Sequence, residues 1–348
     1  MRVRFSKTAL GVRGTGSALP GPSVDNDTLL QALERHTGRR QAAVARRIAG
    51  RLGIRSRHVS RDLDKAVSGT LKGRDAPSLC ASALKSAGAG DMSFLFGHTA
   101  TPHTHLPSNT AWVAQTLRYE GPYTELRQAC TGFAAALASA ASMIAEEEGE
   151  VVGIVGSETG SPFFEIADGF LDLDQLINYV QMGDGAGAIV LGRDDGNSSR
   201  ILDAYYGQIG VDREPGIGIA GGGSSSPDCP AGLPFFFHDS RAVRRHGESL
   251  IFAGIEAIQS RGYALNDFDW ILPHQANGQI DQMFKARFPE YRGQIFVTAD
   301  RLGNLGSAAI WVGFDELRRS GQLETGDKVL VLGAEASKYM FGGFVYEH

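Results

Sequence analysis

Cysteine is scarce in this chain: 348 residues contain Cys80, Cys130 and Cys229, with no CxxC pair. That excludes a disulfide framework and makes a reducing cytoplasm the simplest compartment. No apolar run is long enough to cross a bilayer, so no membrane partner is expected. Excess positive charge is missing too. With 34 Lys and Arg against 39 Asp and Glu, the net charge is -5, and binding to nucleic acid is disfavoured. The glycine-rich stretches are not phosphate loops. No Gly-Lys-Ser/Thr follows IAGGGSSSPDCPAG (219–232), which reads as a flexible loop, and GTGSAL (14–19) lacks the third glycine of a dinucleotide fingerprint. GDGAGA (183–188) precedes a strand, where a phosphate loop must open a helix. His98, His103 and His105 crowd one segment without a carboxylate or cysteine at ligand spacing; a pocket-wall loop is expected there, not a metal site. The first residues carry early positive charge, but Arg13 and several glycines interrupt the apolar core of any signal peptide. They read as a first strand and turn.

What is present is an alternation. Short apolar runs bounded by Gly, Asp and Pro read as buried strands at 92–99, 151–158, 186–192, 269–275, 328–335 and 342–347. Helix-period segments lie between them, clearest at 29–33, 111–117, 132–145, 243–258 and 309–317. Such alternation predicts an α/β architecture. The chain is long for one core and divides near the polar stretch GRDDGNSSR (192–200), giving halves 1–195 and 196–348. The basic segment 36–58 reads as a solvated surface helix, with a docking patch as the alternative.

Three polar residues stand at strand-to-helix turns. Cys130 follows the extended YTELRQA and precedes an Ala-rich helix. A sulfur at a helix N-terminus is expected to favour the thiolate, and the free N–H groups there can hold an oxyanion. His274 ends an apolar strand in PHQANGQI, and Asn304 sits in a Gly-flanked turn in RLGNLGSAAI. Three such groups at three turns suggest a shared active-site floor.

ACTGF, GDGAGAIVL, PHQAN and GNLGSAA together resemble the β-ketoacyl synthase III group of the thiolase superfamily, in order and in spacing. The resemblance implies a five-layered αβαβα fold of two pseudo-duplicated halves, the first carrying the nucleophilic Cys and the second His and Asn. It implies that Cys130 takes an acyl group from coenzyme A or an acyl carrier protein. His274 and Asn304 would then hold the carbonyl of a malonyl thioester while loss of CO2 forms an enolate, which attacks the acyl-cysteine. The backbone N–H of Cys130 would serve one oxyanion, and that of Ser337 could complete the hole. No cofactor or metal is implied beyond the thioester substrates. The implied assembly is a homodimer in which Leu106, in HLPSN, closes the acyl pocket of the partner. An acyltransferase on the same fold, or a non-catalytic partner subunit, are the alternatives.

The chain also departs from the family. Glu335-Ala336-Ser337-Lys338 replaces a Gly-rich turn, so strain is expected at Ser337. Gln279 stands where a carrier-docking basic residue is common, with Lys285 and Arg287 as possible substitutes. The tryptophan that stacks on adenine in some members is absent from 45–55.

Overall fold

The computed structural model describes residues 2–6, 8–167, 171–196, 199–228 and 235–348. Cys229 and the end of the loop expected over 219–232 lie outside them. So do parts of the polar divide at 192–200.

The expected strands form, within a residue or two of their sequence limits. Phe94–His98, Val152–Glu158, Gly185–Arg193, Trp270–Pro273, Lys328–Glu335 and Met340–Glu347 join one eleven-stranded sheet. Its order repeats. In the first half the edge strand Tyr123–Leu126 runs parallel to Phe94–His98, which runs parallel to Val152–Glu158. Two antiparallel strands follow, Gly185–Arg193 and Leu10–Ala18. In the second half Gln294–Ile295, Trp270–Pro273 and Lys328–Glu335 are parallel, followed by the antiparallel Met340–Glu347 and Arg200–Gln208. The two arrays join where Leu10 and Gly11 pair with Ile201 and Arg200.

Two central helices, Gly132–Glu146 and Ala309–Arg319, are packed between the halves in one core with Ile154, Ile189, Leu272 and Val331. Seven of the ten buried residues of the first are Gly or Ala, so the backbones can approach closely. Phe133, Trp311 and Phe344 fill the centre with ring centroids 5.7–6.1 Å apart; such aromatic pairs add about 0.5–1.5 kcal/mol each beyond burial. The helix Ala76–Ser86 covers the outer face of the first array. Ser240–Gln259 and Ile280–Arg287 cover that of the second. Helix, sheet, helix, sheet, helix is the five-layered arrangement.

One sequence expectation fails here. The basic helix Arg39–Leu52 is not simply a solvated face. Ala42, Ala45 and Ala49 are buried, and the helix packs on Leu173–Gln181. Its arginines point outward from a narrow alanine stripe, which hides the apolar face in a composition-level reading.

Candidate active site

Cys130, His274 and Asn304 line a single cavity of about 1560 Å3. Cys130 and His274 follow strands, whereas Asn304, expected at a strand-to-helix turn, follows the short helix Ala299–Leu302. After Tyr123–Leu126 the chain turns, with the Gly132 N–H donating to the Ala129 carbonyl (3.1 Å), and enters the helix Gly132–Glu146. Gly132 is demanded by packing, since a Cβ there would lie 2.7 Å from the Cβ of His98.

The helix start, however, is already occupied. The Thr131 N–H (3.1 Å) and hydroxyl (2.6 Å) both donate to Glu335 Oε2, and the Ser337 hydroxyl donates to Oε1. A carboxylate thus takes the anion position that the helix dipole offers. Burial pushes the Cys130 thiol well above its ordinary value, and Glu335 and Glu158 add to the rise. Burial and two facing carboxylates thus act against the thiolate that the helix start was expected to favour.

His274 follows Trp270–Pro273, and its N–H donates to the Leu332 carbonyl of the adjacent strand (2.6 Å). Burial lowers its imidazole to about 4, so the ring is neutral near pH 7. Its Nδ1 has no partner among the described residues. The next residue, Gln275, locks this strand end. Its Oε1 accepts from the N–H groups of Thr298 (2.6 Å) and Ala299 (2.9 Å), and its Nε2 donates to Phe296 O (2.7 Å).

Asn304 is held from both sides. Its N–H donates to Gln181 O (2.8 Å), and its carbonyl accepts from the Gly183 N–H (3.0 Å). GDGAGA therefore anchors the Asn304 turn. Asn304 Oδ1 accepts from the Gly306 N–H (3.0 Å), which fixes the amide orientation and leaves Nδ2 as a free donor. Gly306 is required twice over, with φ +50° and a would-be Cβ 2.4 Å from Glu158 Oε2. Glu158 Oε2 also accepts from the Ser307 N–H (3.0 Å) and hydroxyl (2.9 Å), and its Oε1 accepts from Thr101.

The remaining expected residues divide. Ser337 lines the cavity, but the anticipated strain falls elsewhere: the left-handed residue of its turn is Tyr339 (φ 57°), whose carbonyl accepts from Ile209. Lys338 donates to the Arg213 carbonyl, away from the chemistry. His103 and His105 do line the cavity. His98 belongs to the core instead, where it accepts from Trp311 Nε1 (3.1 Å) and burial lowers it to about 3. Leu106 is 88% exposed and lies outside its own chain's cavity wall. Arg287 lines the cavity but is paired with Glu248 (2.8 Å) and stacked over Phe252 (4.8 Å). Lys285 is exposed and does not line it.

The sequence shows Glu335 only as part of the altered turn and Glu158 only as part of a stretch (157–160) expected to shape the pocket or the dimer edge, and it gives Gln275 no role. The one signal for the two glutamates was the shared Gly-x-Glu ending of two apolar strands, VVGIVGSE and KVLVLGAE.

Comparison with known proteins follows the same lines. The family described as 3-oxoacyl-(acyl-carrier-protein) synthase III matches residues 124–210, and its C-terminal region matches 258–346. A β-ketoacyl-(acyl-carrier-protein) synthase III of Xanthomonas oryzae pv. oryzae is 29% identical, covering 95% of this chain and 96% of its own. That of Desulfitobacterium hafniense is 27% identical, covering 93% and 94%. Among solved structures, the tetronic acid condensing enzyme AbyA1 superposes with a TM-score of 0.82 at 27% identity, over 97% of this chain and 100% of that one. The 3-oxoacyl-(acyl carrier protein) synthase III of Pseudomonas aeruginosa PAO1 gives 0.77 at 25%, over 97% and 98%.

Proposed function

Because the chain belongs to the 3-oxoacyl-(acyl-carrier-protein) synthase III family of condensing enzymes in the thiolase superfamily, we propose that Cys130, His274 and Asn304 divide its reaction as nucleophile and paired donors. The observation that carries this reading is their convergence on one cavity. Cys130 Sγ attacks the carbonyl of an acyl thioester, and the backbone N–H of Cys130, with that of Ser337, faces the oxyanion. The C–S bond to the carrier breaks, and the thiol proton leaves with the departing thiolate. Coenzyme A or an acyl carrier protein is thereby released as a free thiol.

A malonyl thioester then enters. The neutral ring of His274 carries one N–H, and Asn304 Nδ2 supplies a second. Both donate to the thioester oxygen as CO2 leaves and its electron pair moves onto the α-carbon. Two preorganised donors stabilise charge where it develops. The carbanion attacks the acyl-cysteine; a C–C bond forms, the C–S bond to Cys130 breaks, and the thiolate takes a proton from solvent. The product is a β-ketoacyl thioester. Apart from that proton, the thioester substrates supply everything this sequence of steps consumes.

Leu106 supports a homodimer. A large apolar side chain 88% exposed beside cavity-lining residues is suited to a partner's pocket. Intact-protein mass spectrometry tests the whole reading. The enzyme should gain an acyl adduct from acyl thioesters that is absent in Cys130→Ala, and malonyl thioester should clear it with release of CO2. An adduct that malonyl donors leave untouched would overturn the condensation step.

A further inference from the structure

The two proposed donors, His274 and Asn304, come from separate stretches of chain, yet they must meet at one thioester oxygen. Each is anchored to something other than its mate. The His274 N–H donates to Leu332 O (2.6 Å), and Asn304 is tied to Gln181 and Gly183. The His274 ring has no partner at Nδ1 among the described residues, so its place follows from the backbone that carries it.

The link between the two stretches is Gln275. It is 4% exposed and follows His274 directly. Its Oε1 accepts from the N–H groups of Thr298 (2.6 Å) and Ala299 (2.9 Å), which open the short helix Ala299–Leu302. Asn304 stands just beyond the end of that helix. From the other side of the amide, Nε2 donates to Phe296 O (2.7 Å). One side chain thus grips the segment at both ends, by donating and by accepting, which fixes its distance and its rotation. Among the described residues, no other side chain bonds the turn 274–279 to the segment 296–304.

The packing beside this link leaves no slack. A Cβ on Gly278 would lie 2.8 Å from Asp300 Cα. The turn after His274 therefore rests backbone to backbone on the helix before Asn304, with no flexible side chain between them to absorb a shift.

We propose that Gln275 is a positioning residue for condensation, setting the spacing between the His274 and Asn304 donors. It does not line the cavity, so it acts through its neighbours and not on substrate. A misplacement of about 1 Å in such a site costs about 100-fold in rate. The loss falls on the enolate, which carries more charge on its oxygen than the bound thioester does. Acyl loading of Cys130 uses other groups and keeps its rate. This inference rests on the paired-donor reading given above and adds the residue that makes the pair a pair.

The test uses Gln275→Met, which has no amide, and Gln275→Glu, which keeps an acceptor for the two N–H groups but loses the donor to Phe296 O. Both are studied below their melting transitions, and Gln275→Glu carries the comparison alone where Gln275→Met does not fold. Intact-protein mass spectrometry follows two single turnovers: loading of Cys130 by an acyl thioester, and clearance of the adduct by malonyl thioester. Loading should stay within about two-fold of wild type, while clearance slows by about 10- to 100-fold in Gln275→Met and by less in Gln275→Glu. The loss should appear in the maximal clearance rate and not in the malonyl concentration that gives half of it. Loading and clearance slowed alike, or clearance left at the wild-type rate, would overturn the proposal.

The double variant Gln275→Met/Asn304→Ala, or Gln275→Glu/Asn304→Ala in its place, separates spacing from simple support. With one donor removed, spacing no longer counts, so the Gln275 change should slow Asn304→Ala by about two-fold or less. A slowing as large as in the Asn304 background would show that Gln275 merely holds up the fold. If Asn304→Ala alone clears the adduct at the wild-type rate, the paired-donor reading fails, and this inference with it.

Discussion

In the first half, one strand ends at His98, its neighbour at Glu158, and the edge strand leads through Cys130 into a central helix; in the second half, His274, Glu335 and Asn304 hold the matching places. The same frame has been put to different uses. His98 is sealed under Trp311 and serves the core, whereas His274 lines the cavity; among the described residues the Nδ1 of neither has a partner. Cys130 is the proposed nucleophile, and Asn304 the proposed amide donor. Only the glutamates do the same work, and they do it across the halves. Glu158 bonds Ser307, at the start of the second half's central helix, and Glu335 bonds Thr131, at the start of the first. A repeated fold thus supplies equivalent positions, and what each position does depends on what packs over it.

Substituting the matched pairs is the sharpest way to break this comparison. Cys130→Ala should abolish the acyl adduct completely by mass spectrometry. Asn304→Ala should still accept the acyl group but lose about 100- to 1000-fold in condensation, the usual effect of removing one oxyanion donor. Equal loss of both steps in the two variants would remove the division of labour.

The histidines should separate next, in stability rather than in turnover. His98→Leu leaves the buried Trp311 Nε1–H without its acceptor and should cost about 1–3 kcal/mol in denaturant unfolding. His274→Ala should cost less, because its ring faces the cavity, while condensation falls.

The same pair has a pH signature. His98 is held near 3 in the folded protein, below its value near 6.5 in the unfolded chain. As pH falls below about 6.5 the unfolded chain takes up the proton first, so the stability present above that pH is lost toward pH 3, at about 1.4 kcal/mol per unit. Glu158 and Asp184, raised by burial, act in the opposite direction. The measurement is therefore the difference between wild type and His98→Leu: the variant's melting temperature should fall less steeply between pH 7 and 5.

The smallest effect concerns the glutamates. Glu335→Gln keeps an acceptor for Thr131 but removes the charge beside Cys130. Alkylation of Cys130 by iodoacetamide at pH 8 should then quicken several-fold, with its pH profile moved down. Glu158→Gln should move it less, since Glu335 acts more strongly on the thiol. Coincident profiles for wild type and Glu335→Gln would show that burial alone raises the thiol.

Much of this was legible in the sequence because it depends on local pattern. Apolar runs of strand length gave the central strands to within a residue or two, and the Ala-rich stretch after Cys130 gave the central helix. Cys130, His274 and Asn304 stood out as polar residues in turns that precede helices, although the element before Asn304 proved to be the short helix Ala299–Leu302 and not a strand. The buried face of the basic helix was not legible, because three alanines among arginines are a weak stripe. Glu335 was read only as part of a missing glycine turn, for its partner Thr131 lies 204 residues away.

The amino-acid order by itself determined the alternation of strands and helices, the family and the reactive residue types, all of which follow from neighbours within a few positions. Tertiary structure decided what surrounds those residues. Charge and solvation act through space, and only the folded chain places Glu335 at the start of the helix that follows Cys130, or Glu158 against Ser307.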